Sequence, residues 1–594
     1  MIRTPLRPLA RILKARANGE NPAAIEAENL RLRHEAMRDR ARTRAEGRLL
    51  VMGVLFFCAF LVVGLRMGAL ASSVPEEPRT AVNGNPIIGQ RADIVDRNGR
   101  ILATNLATYS VYAQVPDMVD PARAAIELAA IFPDLDGETL LKDFTSGRRF
   151  VWVRRQVSPE QMQAVHDIGD PGLLFGPREM RLYPNGSVAA HILGGASYGR
   201  EGVHSAEVIG VAGVERTFDE FLRDPANEGA PLELSIDLTV QAASERVLQG
   251  GMMLMNAKGA TSVLMDVRTG EVISLVSLPD FDPNNRPRVL LEGNQSDSPL
   301  FNRAVQGVYE LGSVFKIFAI AQALELDLID PATMIDTRGP LRWGRFSIRD
   351  FSNYGAQLSA TDVIVKSSNI GTARIAMMVG GERQEPFLRS LGLMDATPLE
   401  LSEARTGRPL TPPNWSELST MTISYGHGLS TSPMNLAAAY STIVNGGTLV
   451  RPTLLRQDRP QIGPRVISES VSRQAVDMLR GVVTRGTASF GDVAGYQVGG
   501  KTGTADKPLE RGGGYYDDKV IATFASVFPA ADPQYVLIVM LDEPSIDALG
   551  ETRRTAGWTA VPVAAEMIRR VAPLLGMRPD VETASPVGVT LTAN

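Results

Sequence analysis

Apolar residues follow several distinct patterns along this chain. From Leu49 to Leu65, 17 residues pass without a charge, and Met67 to Ala71 carry the run past Arg66. The long aliphatic stem of Arg66 can snorkel, and about 20 apolar residues cross a bilayer as a helix. Residues 49–71 are therefore predicted to form one transmembrane helix. Ala69-Leu70-Ala71 also resembles a leader-cleavage site, but the long apolar run and the long polar segment before it favour an uncleaved anchor. Within that segment, residues 20–48 interleave Glu26, Glu28, Arg31, Arg33, Glu35 and Arg38 with no apolar stripe. This is the pattern of a solvated helix or a disordered tail.

Past a Pro-containing linker at 72–90, Arg91 to Ala103 reads as a hairpin turning at Asn98-Gly99. Pro121–Phe132 and Pro159–Ile168 have helical patterns with proline in the first turn, where its missing N–H costs nothing. From Leu232 the pattern changes. Strand-like Leu232–Asp237 leads into a helix over Leu238–Met255 and two apolar strands, Thr261–Asp266 and Glu271–Val276. A helical middle follows: Thr361–Lys366, Gly371–Val379, Gln384–Leu391, Pro433–Ile443 and Glu469–Val483. Strand character returns at Tyr496–Gly500, Val520–Phe528 and Tyr535–Leu541, before a last helix at Trp558–Ala572. Strands at both ends of a helical middle imply an α+β fold, with one antiparallel sheet built from distant segments and helices on its faces. The expected organisation is a tail (1–48), a transmembrane helix (49–71), a mainly β pedestal (72–231), a catalytic domain (232–576) and a disordered tail (577–594).

Composition changes this picture in two places. The formal charge of −5 divides unevenly: residues 1–48 hold 12 Arg/Lys against 6 Asp/Glu, a net of +6, which leaves −11 for the remainder. A basic arm can bind nucleic acid. Here Arg40, Arg42, Arg44 and Arg48 abut the apolar run, so a cytoplasmic flank fits better and no nucleic-acid partner is expected. A single cysteine, Cys58, excludes a disulfide framework, and five histidines without H-E-x-x-H spacing argue against a metal enzyme.

The chemistry lies in three short motifs. Ser313 and Lys316, three apart at the head of an apolar helix, lie on one face. A buried lysine with a lowered pKa can take the proton of a serine nucleophile. Ser367-Ser368-Asn369 begins 54 residues after Ser313, and Lys501-Thr502-Gly503-Thr504 begins 134 residues after Ser367. Each has a plainer reading: Ser313 or Asn369 as a helix cap, and Lys501 as a strand-edge lysine. S-x-x-K, S-x-N and K-T-G in this order are the signature of serine enzymes that react with penicillin.

On these motifs the chain resembles the class B penicillin-binding proteins, most nearly the septal peptidoglycan transpeptidases of Gram-negative bacteria. The resemblance runs from about 91 to 572. It includes the pedestal boxes Arg91–Ala103, Arg181–Pro184, His191–Gly194 and Gly213–Arg216, with Arg91, Asp96, Arg181 and Glu215 expected as structural ion-pairing residues. The stretches Tyr425-Gly426-His427-Gly428 and Asp542-Glu543-Pro544 resemble the family too. It departs at Ala92, where glycine is common, and at Leu311, where proline is usual. The family has the penicillin-binding transpeptidase fold. It implies Ser313 as nucleophile on the carbonyl between the last two D-alanines of a stem pentapeptide, Lys316 as base, and Ser367 as proton relay. Asn369 would hold the substrate amide and the lysine. Thr502 and Thr504 would grip the terminal carboxylate beside Lys501, and Gly503 would leave room for substrate. The backbone N–H groups of Ser313 and Thr504 would form the oxyanion hole. No cofactor or metal is implied.

The same resemblance implies partners: β-lactams as inhibitors, and a membrane glycan polymerase with other cell-division proteins. No polymerase signature occurs in 72–231. A class A β-lactamase would need a deacylating glutamate motif between Asn369 and Lys501, and none is found. A D,D-carboxypeptidase shares all three motifs, and an elongation-type transpeptidase differs mainly in the pedestal. A membrane β-lactam sensor would need a larger cytoplasmic effector than 48 residues. His427 is a weaker candidate base, because a serine–lysine mechanism has no vacancy for it.

Overall fold

A computed structural model describes residues 6–72, 91–201, 206–509 and 513–580. The predicted linker, from 73 to 90, and the tail from 581 onward lie outside the described residues. The chain forms two compact units, Met1–Ile88 and Gly89–Asn594.

In the first unit, α1 (Leu6–Ala17) precedes α2 (Pro22–Ser72), a single helix of 51 residues. At 1.5 Å per residue α2 extends about 77 Å. Its segment Ala45–Met67 is 23 residues long with a mean hydropathy of 2.5, long and apolar enough to cross a membrane. The charged residues before it continue the same helix. Ion pairs at i,i+4 spacing, Arg31–Glu35 at 3.1 Å and Arg42–Glu46 at 2.8 Å, support that stretch.

The second unit begins with the pedestal. Its head is a sheet in which Ile101–Gln114 pairs antiparallel with both Phe150–Val157 and Leu173–Leu182. Helices Pro121–Ile131, Gly137–Thr145 and Pro159–Asp167 cover it, capped by the side chains of Asp120, Asp136 and Ser158. Sheet and helices together enclose a small core around Val111, Leu128, Phe132 and Phe144.

At the base of the pedestal the Asn98-Gly99 turn closes a hairpin, with Ile94 opposite Ala103. The buried Asp96 accepts from the Asn98 and Arg100 N–H groups at 2.8 Å and from Leu238 N–H at 3.0 Å, tying the turn to the first helix of the catalytic region. Glu215 receives Arg91 Nε at 2.7 Å and Arg181 Nε at 2.6 Å, all three side chains being buried. Packing does not break at residue 231. Ile94, Leu102, Ile192 and Val214 of the pedestal share one continuous core with the catalytic region.

The catalytic sheet combines β1 (Gly259–Asp266), β2 (Val272–Leu278), β5 (Gly499–Pro508), β6 (Tyr515–Phe528) and β7 (Tyr535–Asp542). All pairs are antiparallel, in the order β5-β6-β7-β1-β2. Two helix pairs cover it: α3 (Leu238–Leu254) with α10 (Ala560–Leu574), and α8 (Pro433–Val444) with α9 (Glu469–Arg485). Coverage on both faces explains why β1, β2 and β7 are apolar and buried almost throughout rather than alternating.

Between the two halves of the sheet lie α4 (Lys316–Glu325), α5 (Ala360–Val365), α6 (Asn369–Val379) and α7 (Glu417–Ser424). A small hairpin of β3 (Leu341–Trp343) and β4 (Phe346–Ile348) precedes α5. The pattern of the sequence predicts neither this hairpin nor α7. The first residues of the expected tail are held in place, since Asp580 N–H donates to Gly495 O at 2.8 Å.

Candidate active site

Three backbone segments meet at the edge of the sheet, and glycine makes the meeting possible. Gly312 opens a tight turn, Gly312–Phe315, at the head of α4. Its φ of +63° is costly for any residue with a Cβ, and a Cβ there would also lie 2.8 Å from Thr504 O on β5. A Cβ at Gly503 would lie 2.2 Å from Leu311 O, and one at Gly426, where φ is +86°, only 2.0 Å from Gly312 O. Gly503 therefore admits the serine turn, where the sequence suggested room for substrate. Gly312 N–H donates to Gly426 O at 3.2 Å, and Tyr440 OH from α8 donates to Val314 O at 2.7 Å. The turn is fixed from three sides.

Ser313 is half-buried at this junction, and among the described residues its hydroxyl makes no hydrogen bond. Lys316 is fully buried and reaches across to the S-x-N loop. Its Nζ donates to Ser367 O at 2.5 Å and to Ser367 Oγ at 3.0 Å. Lys501, also fully buried, donates to the same Oγ at 3.0 Å and to Thr502 O at 2.9 Å. Burial, reinforced by Lys501, holds the Lys316 amine well below the ordinary lysine range, against an upward pull from Asp350. Burial also brings Lys501 down to about 7.

The backbone of Ser367 is itself under strain, with φ at +61°. Ser368 N–H donates to Val363 O at 2.9 Å and Ser367 N–H to Ile364 O at 3.2 Å, closing α5 in a Schellman motif. Ser367 occupies the left-handed position of that motif, where glycine is the usual residue, at a cost of about 1–2 kcal/mol. The strained backbone keeps a hydroxyl between the two lysines, where glycine would have none.

The other predicted residues stand differently from expectation. Ser368, given no role from the sequence, caps α6: its Oγ accepts Gly371 N–H at 2.9 Å and donates to Asp350 Oδ2 at 2.7 Å. The Asn369 amide donates to Arg349 O at 3.0 Å, and no hydrogen bond joins it to Lys316 among the described residues. Thr502 Oγ1 is 2.7 Å from Thr487 Oγ1, so that hydroxyl is engaged inside the protein. Thr504 Oγ1 accepts Ala556 N–H at 3.0 Å and keeps its own proton for a ligand.

A family model, the penicillin binding protein transpeptidase domain, matches residues 260–568, and a penicillin-binding protein dimerisation domain matches 86–228. The probable peptidoglycan D,D-transpeptidase FtsI of Caulobacter vibrioides is 35% identical over 93% of each chain. The chain belongs to the class B penicillin-binding proteins. The peptidoglycan D,D-transpeptidase FtsI of Escherichia coli is 28% identical, over 89% of this chain and 92% of that one. The crystal structure of penicillin-binding protein 3 from Mycobacterium tuberculosis, complexed with ampicillin, aligns with a TM-score of 0.62 at 25% identity. That match covers 84% of this chain and 98% of the other.

Two groups of this class B protein escape sequence reasoning. Asp350 accepts the Asn369 and Ile370 N–H groups at 2.6 and 3.0 Å, so it fixes the S-x-N loop while its charge acts on Lys316. Glu310 accepts Gly428 N–H at 2.7 Å and Tyr515 OH at 3.0 Å, locking the Tyr425–Gly428 loop to the serine turn. Neither lies in a motif, and isolated acidic residues give no signal in a chain with 66 of them. His427 sits within that loop between the rings of Tyr425 and Tyr515. Its Nδ1 is buried without a hydrogen bond, and burial lowers its pKa.

Proposed function

We propose that Ser313 is the residue acylated during turnover, with Lys316 as its base. As a class B penicillin-binding protein the chain is a peptidoglycan D,D-transpeptidase of the cell-division type. Ser313 Oγ attacks the carbonyl between the terminal D-alanines of a stem pentapeptide while the neutral Lys316 amine takes its proton. The N–H groups of Ser313 and Thr504, brought together by the contact of Gly312 with β5, receive the oxyanion. As the tetrahedral intermediate collapses, the proton passes through Ser367 to the amine of D-alanine, which leaves. The amine of a second stem peptide then attacks the acyl ester, forming the cross-link and releasing Ser313. With Thr487 donating to Thr502 Oγ1, the hydroxyl protons of Thr502 and Thr504, with the charge of Lys501, hold the terminal carboxylate.

The observation that carries this reading is the convergence of two buried amines of lowered pKa on one hydroxyl beside an unengaged serine. Labelling with fluorescent penicillin tests it. One adduct is expected, on Ser313, lost in Ser313→Ala and in Lys316→Ala. A folded Ser313→Ala protein that still labels would overturn the assignment.

The same reading places 1–48 in the cytoplasm, 49–71 in the inner membrane, and the pedestal (72–231) and catalytic region (232–576) in the periplasm. The basic flank and the apolar segment of α2 support it. Reporter fusions after residue 80 are expected outside the membrane, and a mature N-terminus at Ser72 would replace the anchor with a cleaved leader. A transpeptidase without a polymerase acts where new strands emerge, so a membrane glycan polymerase and other division proteins are its partners. Depletion is expected to give filaments; round, dividing cells would indicate the elongation role.

A further inference from the structure

Two lysines hold Ser367, and one carboxylate holds the residues that follow it. Asp350 Oδ1 accepts the N–H groups of Asn369 and Ile370, and its Oδ2 accepts the Ser368 hydroxyl. These residues open α6, and a helix N-terminus suits a negative charge. The plain reading of Asp350 is therefore a cap. That reading is incomplete, because Ser368 already caps α6, accepting Gly371 N–H at 2.9 Å. A neutral acceptor at 350 would serve the remaining N–H groups too.

What capping leaves unexplained is the sign of the charge. Lys316 and Lys501 are fully buried, and their donors go to oxygens of Ser367 and Thr502. Among the described residues neither amine has a carboxylate at ion-pairing distance, and Asp350 pairs with no lysine or arginine. The groups whose charges bear on Lys316 come from separate elements. Lys501 on β5 adds to the burial that lowers the amine, and Asp350 pulls it up. His427, from the Tyr425–Gly428 loop, also feels Lys316; burial keeps its imidazole below the usual range against the pull of Glu310 and Asp506. Tyr354 faces Asp350, and its hydroxyl is pushed up by burial and then by that carboxylate.

Acylation makes two demands on the Lys316 amine. It must be neutral to accept the Ser313 proton, and it must then carry that proton as an ammonium until Ser367 receives it. A nearby negative charge favours the ammonium, which strengthens the base and moves its titration to higher pH.

We propose that Asp350 is the counter-ion of the Lys316–Lys501 pair: the carboxylate that holds the S-x-N loop also steadies the proton that Lys316 takes from Ser313, and so sets the lower pH limit of acylation. This rests on the assignment of Lys316 as the base for Ser313. Asp350 acts through Lys316 and the loop, as a positioning residue.

The test follows penicillin acylation of the full-length enzyme in detergent across pH. Asp350→Asn keeps an acceptor for the two N–H groups and can donate to Ser368 Oγ, so it removes the charge and leaves the hydrogen bonds. Its acid limb is expected about one pH unit below that of the wild type, with a plateau about threefold lower because the amine is a weaker base. The two curves therefore cross. One unit below the wild-type midpoint the variant should be about twofold faster, whereas loss of a merely structural residue would slow acylation at every pH. Asp350→Ala loses the hydrogen bonds as well; its acid limb is expected where that of Asp350→Asn lies, at rates lower by about tenfold or more. An acid limb that keeps the wild-type position in both variants, or an Asp350→Asn enzyme slower than wild type at every pH, would overturn the proposal. Normal labelling of Lys316→Ala would overturn the assignment of the base instead.

Discussion

Lys316 and Lys501 donate to one oxygen, the hydroxyl of Ser367, each at 3.0 Å. Burial draws both amines down from the usual lysine range, and for Lys316 the neighbouring charge of Lys501 adds to it. Acylation by penicillin should therefore rise with pH as the amine pair loses its first proton. It should fall again once the pair loses the second, near or above pH 7. Because the amines interact, the two apparent pKa values belong to the pair. In Lys501→Met the alkaline limb should vanish, and its persistence would place the second titration elsewhere.

Stability should respond to the same burial. Lys501 titrates at about 7 in the folded chain, against about 10.4 in an unfolded one. Between those values the unfolded chain binds more protons, so stability rises with pH, by at most about 1.4 kcal/mol per unit. The difference in unfolding free energy between wild type and Lys501→Met should shift in favour of wild type from pH 7 to pH 9. A difference that stays flat would mean that Lys501 remains charged where it lies.

The left-handed backbone of Ser367 separates conformation from chemistry. Ser367→Ala and Ser367→Gly both remove the hydroxyl and should both cut acylation by about 10²-fold or more. Only glycine relieves the strain, so Ser367→Gly should be about 1 kcal/mol more stable than Ser367→Ala in urea unfolding. Equal stabilities would mean that the loop relaxes once the hydroxyl is gone.

Gly503→Ala puts a methyl group where Leu311 O now lies. The expected cost is about 1–3 kcal/mol in thermal unfolding, with the serine turn displaced from β5 and acylation slowed by at least tenfold. Normal acylation in this variant would show that the turn tolerates movement.

Glu215 holds two buried arginines of the pedestal. Glu215→Gln removes the charge that both arginines share, leaving Arg91 only Asp219 at 2.7 Å, and should destabilise the protein by about 3–5 kcal/mol, lowering its melting temperature. Protein that remains folded should label with penicillin at the wild-type rate, because the cluster lies outside the catalytic cleft.

These outcomes also show what the sequence made legible. Ser313, Lys316, Ser367 and Lys501 were readable because this chemistry requires particular side chains at fixed spacings. The pairing of strands near 261 with strands near 537 followed from apolar runs at both ends of a helical middle. The direction of Asn369 was not readable, because it depends on Arg349 O and Asp350, placed there by the fold of a loop. The neighbour of Gly503 was not readable for a related reason. Glycine reports that something approaches closely, and only the fold shows that it is the Leu311 carbonyl. The 231/232 division falls between the two family matches, 86–228 and 260–568, but the core that runs across it was not readable, because sequence pattern marks a change of element type and not packing.

The catalytic sheet has a consequence for how the enzyme is made. Strands β1 and β2 are complete at Leu278, but β7, which pairs with β1, begins at Tyr535, after the 256 residues 279–534. At about 5–20 residues per second, synthesis of that interval lasts on the order of 10–50 s. Throughout it the apolar edge of β1 has no partner, and a two-stranded ribbon is barely stable by itself. Such an edge is a template for wrong pairing, so newborn chains need protection until the last strands arrive. A stop codon anywhere before Asp542 would therefore leave an open ribbon with no catalytic domain around it.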